Sequence, residues 1–493
     1  MIAAHLPALQ VVVPLLAAPL CAILRQGTIA WLIALVANWC AFVISIALVL
    51  QVRELGIISY ELGGWAPPIG IEYRVDLVNA FVLMVVSGVG AVIIPYARKS
   101  IESEIPRAQR GWFYTMYLLC LTGLLGVTIT GDAFNIFVFL EISSLSSYVM
   151  IAMGRDRRAL TASYRYLIMG TIGATFIVIG IGLLWAMTGT LNLNDLADRV
   201  PAIEEARPVL AALAFLTVGI SLKLALFPLH LWLPNAYAYA PSAASAFLAG
   251  TATKVAIYLF FRFFFTVFGG EGFFDSTPLP EIIMVLSIVA MFAPGVVAIF
   301  QSNIKRLFAY SSVAQIGFIT LGISLASEPG LTGALVHIAN HAIMKAGLFM
   351  LIGCIVFRLG SMRLEDMAGI GRTMPFTMAG IVVLGLGLLG APATAGFISK
   401  WYLAEAALLQ GLWWLVGLIL LGSVVSMIYV GRVVEIAYFR EPSEKVAGLK
   451  EAPLSMLIPG WVLVIATIYF GLDTTWTVGI AQDASASLLS ALY

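Results

Sequence analysis

The stretch Lys223-Leu-Ala-Leu-Phe-Pro228-Leu-His230-Leu-Trp-Leu-Pro234 closes an apolar run at 209–231. Proline lacks an N–H and blocks the helix before it, so two prolines this close break a helix and leave backbone carbonyls free. At membrane depth such backbone survives only against protein or a water-filled cavity. A lysine opens the segment and a histidine lies within it. The segment therefore reads as a broken membrane helix wrapped around a polar interior.

Composition extends this reading to the whole chain. The 493 residues are 61% hydrophobic and 11% charged, against about 25% charged in an average soluble domain. So little charge cannot cover so much apolar surface in water, and the fold class is an all-α polytopic membrane protein. Lys plus Arg is 27 and Asp plus Glu is 26, a balance that excludes a nucleic-acid footprint. The cysteines Cys21, Cys40, Cys120 and Cys354 are scattered through apolar runs with no CxxC pair. They read as reduced packing residues.

A span needs about 20 apolar residues. Fourteen runs qualify: 6–24, 29–51, 76–97, 112–130, 133–153, 160–189, 209–231, 241–267, 281–301, 305–326, 331–357, 375–398, 402–431 and 455–472. The longest connections, near 52–75 and 190–208, are too small for a soluble domain. The first run has no Lys or Arg before it and Arg25 just after it, the wrong polarity for a cleaved signal, so it is expected to be a true span. With Lys305 and Arg306, at the very start of the tenth run, counted with the connection before it, connections after odd-numbered spans hold seventeen Lys or Arg, including Arg155, and those after even-numbered spans hold four. Basic residues stay in the cytoplasm, so both termini are expected on the other side.

Six cations remain inside spans or at a span edge: Arg165, Lys223, Lys254, Arg262, Lys345 and, between the twelfth and thirteenth runs, Lys400. At roughly 2.5–3.5 kcal/mol each, leaving them bare in lipid would cost on the order of 18 kcal/mol. That exceeds a typical folding free energy of about 5–15 kcal/mol. They must be paired, hydrated or neutral, which implies a polar path through the protein. Arg165 and Arg262 are expected to have interfacial heads. Glu141, ringed by apolar residues and followed by Ser143, Ser144, Ser146 and Ser147, is a candidate proton carrier or ion-pair partner. Lys223 and Lys254 flank the broken segment, where lysine can exchange a proton. For His230, an interfacial cap and a pathway role both stand.

His337, His341 and Lys345 are spaced i, i+4, i+8. They share one helix face, drifting about 40° over roughly 12 Å, more than a third of a core about 30 Å thick. Imidazole donates and accepts near neutral pH, so the row suits a proton relay. A metal reading lacks a third ligand and sets an ammonium beside the ion; no metal and no cofactor are expected. Lys400 follows Gly390-Ala-Pro392-Ala-Thr-Ala-Gly396, a second interrupted helix in the second half. Paired interruptions in two halves point to inverted repeats with ion sites beside them.

The segment from Lys223 to Lys254 resembles the signature of the antiporter-like subunits shared by Mrp-type multisubunit cation/proton antiporters, respiratory complex I and membrane-bound hydrogenases. The Glu141 segment, Asn340-His341-Ala-Ile-Met-Lys345-Ala-Gly-Leu-Phe and the Lys400 break are similar as well, and the resemblance is clearest over 76–430. It implies fourteen helices. Helices 4–8 (112–267) and 9–13 (281–431) would form two inverted repeats, with helices 7 and 12 broken. Residues 1–111 would supply three leading helices, and 432–493 helix 14 and a tail without the long lateral helix of many relatives. It carries onto Glu141 and Lys223 a switch-like ion pair, onto Lys254 a central relay, onto His337, His341 and Lys345 the helix 11 polar row, and onto Lys400 the helix 12 charge. Among these subunits, the chain looks most like the D member of Mrp antiporters. The implied function is proton translocation in a sodium or potassium/proton antiporter, as one subunit of a transporter, not an enzyme. Its partners would be small hydrophobic subunits and a second antiporter-like subunit in a bacterial inner membrane. The alternative is a proton-pumping subunit of a redox complex, which would need separate electron-carrying partners.

Overall fold

The computed structural model describes residues 2–269 and 277–490; the first residue of the 1–111 division and the last three of 432–493 lie outside them. Apart from one small hairpin, the described chain is helical, because each peptide group in a bilayer must bond within its own segment. The leading helices are α1 (Leu6–Leu24), α2 (Gly27–Leu55) and α3 (Leu77–Glu104). Next come α4 (Arg110–Ile129), α5 (Ala133–Ala152), α6 (Arg158–Thr188), the short α7 (Leu193–Arg199), α8 (Arg207–Leu224), α9 (Leu233–Tyr239), α10 (Ser242–Gly250) and α11 (Ala252–Phe260). The rest are α12 (Leu279–Ile299), α13 (Ile304–Ser324), α14 (Glu328–Leu359), α15 (Pro375–Leu389), α16 (Ala395–Leu409), α17 (Trp413–Val434), α18 (Leu454–Leu472) and α19 (Thr475–Ser490). Among the described residues thirteen helices are long and apolar enough to cross a bilayer, and the number is fourteen when Glu365–Arg372 and Pro375–Leu389, bent by 104° at their junction, count as one broken span. The polytopic all-α reading holds.

The 52–75 connection folds into an antiparallel hairpin of β1 (Ile58–Glu61) and β2 (Glu72–Val75), with Ile58 opposite Val75 and Glu61 opposite Glu72. Asp76 follows directly and caps α3, accepting from the Asn79 N–H at 3.0 Å while Asn79 Oδ1 accepts from the Asp76 N–H at 2.8 Å. This reciprocal cap satisfies two otherwise orphaned donors at the helix start.

Two matching clasps divide the chain. Asp132, the cap of α5, bridges to Asn192 after α6, with the Ala133 N–H donating to Leu191 O and the Leu193 N–H to Gly131 O, both 2.8 Å. Asn303, the cap of α13, bridges to Arg363 after α14, with Ile304 N–H on Met362 O at 3.0 Å and Leu364 N–H on Ser302 O at 2.9 Å. Five crossings separate the start of α5 from the start of α13, so the two clasps lie on opposite faces. The packing order recurs too: α4 on α5, α5 on α6 and α6 on α8, then α12 on α13, α13 on α14 and α14 on α16. At the α6–α8 crossing, a Cβ on Gly219 would lie 2.7 Å from the Gly173 carbonyl. Only two glycines allow that approach.

Several expectations change. The boundary placed near 399–401, between the twelfth and thirteenth spans, moves to Gln410–Leu412, where Gly411 takes φ +73°. Helix α16 runs through Lys400 because that ammonium is satisfied inside the protein. Lys305, counted with the connecting loops, is buried in the first turn of α13 and donates to Ala240 O at 3.1 Å. Arg262 is buried and ion-paired to Asp76, the residue that caps the start of α3. Cys21, Cys120 and Cys354 are buried packing residues, but Cys40 is exposed on the apolar perimeter of α2. Residues 475–490 are not an extended tail; α19 folds back against α14 and α3.

Candidate functional site

The first break places an ion pair. Helix α8 ends at Leu224, and Ala225 turns the chain through the left-handed region at φ +63°. Trp232 repairs one freed carbonyl by donating its indole N–H to Leu222 O at 2.9 Å. Lys223, in the last turn before this break, donates to Glu141 Oε1 at 3.3 Å and to Ser144 Oγ at 2.8 Å. The pair is lopsided. The Lys223 side chain is 4% exposed and that of Glu141 is 24% exposed, so the carboxylate reaches the perimeter of the fold while the ammonium stays inside.

Lys254 is wholly buried at the start of α11, just past the kink between Gly250 and Thr251. It donates to Ala249 O, with Thr253 Oγ at 3.5 Å. No carboxylate bonds it among the described residues. It lies within Coulombic range of His337, His341 and Lys345 on α14.

The helix 11 row resolves into two parts. His337 and His341 stack with ring centroids 6.1 Å apart. Lys345 turns to α13, donating to Phe308 O at 2.9 Å and to Ser311 Oγ. His337 bonds Ser399 Oγ through Nδ1 at 2.7 Å and Gln315 Oε1 through Nε2 at 3.1 Å. Gln315 Nε2 faces Leu388 O at 3.4 Å. A carbonyl only accepts, which fixes the amide orientation; the amide oxygen then accepts from His337, so Nε2 carries the hydrogen. Ser399 Oγ also sits 3.2 Å from Gly396 O. With His337 neutral, Ser399 donates to Nδ1. With His337 protonated, Nδ1–H donates to Ser399, whose own hydrogen turns to Gly396 O. The site accommodates both charge states without moving the ring.

Lys400 closes the second break. Its ammonium donates to Leu388 O, Leu389 O and Ser423 Oγ, each at 2.9 Å. It caps the carbonyl end of α15, where a cation is favoured by the helix dipole. It also lies 4.4 Å from the centre of the Phe318 ring. The shared Leu388 carbonyl makes one network of Lys400, Gln315, His337 and Ser399.

The remaining candidates lie apart. His230 is buried between the Phe227 ring at 5.2 Å and the Tyr310 ring at 6.2 Å. It bonds neither Lys223 nor Lys254, and no hydrogen bond joins those two lysines among the described residues. Arg165 is exposed on the outer side of α6, two turns from its start. The sequence reading singled out Ser144 only as one of the serines beside Glu141, and missed Gln315, Ser399 and Ser423. Ser311, Ser312 and Gln315 carried a readable signal, being polar and on one face of an apolar span.

A family model described as "NADH:quinone oxidoreductase/Mrp antiporter, TM" matches residues 130–426. That span includes every candidate from Glu141 to Lys400. The N subunit of the NADH-quinone oxidoreductase of Desulforudis audaxviator is 38% identical over 95% of this chain and 96% of its own. The D subunit of the Na(+)/H(+) antiporter of Alkalihalophilus pseudofirmus is 31% identical over 87% of this chain and 85% of its own. A chain in the structure of the Mrp complex from a Dietzia species superposes with a TM-score of 0.90 and 24% identity, with 100% of both chains covered, a likeness of fold. The chain belongs to the transmembrane family of NADH:quinone oxidoreductase and Mrp antiporter subunits.

Proposed function

We propose that this chain is the proton-translocating membrane subunit of a multisubunit sodium or potassium/proton antiporter of Mrp type. The half-buried Glu141–Lys223 pair beside the first helix break carries the reading. A charge pair held by one 3.3 Å contact and one serine can part and re-form. When it parts, the lysine proton is free to move on toward Lys254, and the His337–Gln315–Lys400 network supplies acceptors beyond. The 31% identity to the D subunit of a Na(+)/H(+) antiporter supports this branch. The 38% identity to the N subunit of a quinone oxidoreductase favours a second reading, a proton pump driven by separate redox partners.

In this reading 112–267 and 281–431 are inverted repeats, supported by the two clasps on opposite faces, with 1–111 and 432–493 as flanking divisions. Glu141, Lys223, Lys254, His337, His341, Lys345 and Lys400 form the pathway, with His230 beside it. The membrane is the bacterial inner membrane, and the excess of basic residues after odd-numbered spans puts both termini outside the cytoplasm. Small hydrophobic subunits and a second antiporter-like chain are the partners. Mass spectrometry of the complex, purified in mild detergent through a tag on this chain, tests the assignment. Those partners support it; iron–sulfur, flavin or hydrogenase subunits would replace it with the redox-driven reading.

A further inference from the structure

A second file of polar residues starts from Lys254. Lys254, Tyr258 and Arg262 are spaced i, i+4, i+8, one above another on a helix face. Tyr258 O–H donates to Thr128 O at 2.9 Å and accepts from Arg262 Nε at 2.5 Å. Arg262 Nη2 donates to Asp76 Oδ1 at 2.6 Å. From Phe261 to Val267 the backbone widens into a π-helix, a form found mostly as single turns at functional positions. It begins one residue before Arg262. The file ends at a cavity of about 220 Å³ lined by Arg74, Asp76, Asn79, Thr130, Asn194 and Arg262 at the foot of the β1–β2 hairpin. The hairpin is tied by buried Glu72, which accepts from Ser59 Oγ at 2.6 Å and from Asn192 Nδ2 at 2.9 Å.

We propose that this cavity is a proton mouth on the hairpin face, joined to Lys254 through Tyr258 and gated by the Arg262–Asp76 pair. The inference rests on the reading that protons pass through Lys254. The lysine ammonium is now turned back to Ala249 O; its flexible stem must swing toward Tyr258 to engage the file. The Tyr258 oxygen then takes a proton from Lys254 while its own hydroxyl proton passes to the Asp76 carboxylate and on to water in the cavity. The lysine is left neutral and the carboxylate regains its charge. Arg262 carries no proton, because guanidinium does not deprotonate in proteins. Seated between Tyr258 and Asp76, it blocks the transfer until it moves aside. Lys254 thus serves one direction from Ala249 and the other from Tyr258, which separates the two access routes in time.

The test is cation-driven proton flux in vesicles carrying the assembled complex. Asn194→Trp fills the cavity from α7 and should lower flux at least tenfold. Asp198→Trp, on the exposed side of the same helix, should leave flux unchanged. Tyr258→Phe keeps the ring and removes the relay oxygen; it should lower flux as far. Lys254→Ala should abolish flux. Flux within twofold of wild type in Asn194→Trp, with Lys254→Ala inactive, overturns the mouth alone. Should Asn194→Trp fail to assemble, unchanged flux in Tyr258→Phe overturns it. Normal flux in Lys254→Ala would instead overturn the reading on which the mouth depends.

Discussion

Replacing Glu141 with Gln removes one charge and little volume, and its effect follows from the pair's geometry. Charges 3.3 Å apart attract by about 5 kcal/mol at an effective dielectric near 20. Desolvation costs several kcal/mol per ion, so the pair is nearly balanced when intact, but removing one member of a buried pair costs about 3–5 kcal/mol. The lower end applies here, because the Glu141 side chain is 24% exposed and Ser144 still accepts from Lys223. About 3 kcal/mol taken from the charged-lysine state is on the order of a hundredfold in any step through that state. Glu141→Gln should therefore cut cation-driven proton flux about a hundredfold and lower the thermal midpoint of the complex. Adding Lys223→Met removes the stranded charge; an apolar pair in place of a buried ionic one is often neutral for stability. The double variant should regain the midpoint and stay inactive. Acridine fluorescence in everted vesicles reads flux, and a dye-free thermal melt in detergent reads stability. Flux within threefold of wild type in Glu141→Gln, or stability losses that simply add in the double variant, would refute the switch.

Other expected outcomes are narrower. Gly396→Ala places a Cβ 1.8 Å from the Gly387 carbonyl; backbone cannot yield there, so overpacking should cost about 1–3 kcal/mol in the melt and shift Lys400 off its carbonyls, lowering flux. His337→Leu strands Gln315 Oε1, costing about 1–3 kcal/mol for the unpaired acceptor, while Ser399 turns to Gly396 O, and should stop flux. The conservative Gln315→Glu, still an acceptor for His337 Nε2, should retain more flux than Gln315→Leu. Arg262→Met leaves the Asp76 charge unpaired and should destabilise by about 3–5 kcal/mol. Adding Asp76→Asn should recover most of that loss, because Asn caps a helix as well as Asp does.

The polytopic helical architecture, the two breaks and the buried charges were all legible in the sequence, because bilayer thickness and the cost of charge leave few alternatives. Partners across helices were not. The partner of Arg262 is not readable along its own helix, since its counter-charge, Asp76, lies 186 residues away at the first position of the third apolar run. Lys305 looks like a loop cation because it opens a helix; only the fold shows the Ala240 carbonyl above it. Lys400 punctuates an apolar run and so attracted a boundary, yet its ammonium is satisfied by three acceptors and the helix continues. Neutral relays such as Ser399 and Gln315 cost too little in a span to stand out. Helix α19 is amphipathic and short, with no charge pattern marking where it docks.

The most direct measurement is proton flux in proteoliposomes holding the purified complex, driven by a sodium or potassium gradient with no electron donor present. An antiporter of this construction should produce a pH gradient that collapses when the cation gradient is dissipated and is absent with Glu141→Gln. A complex that moves no protons under either cation gradient, and begins to do so only when an electron donor and acceptor are supplied, would contradict it.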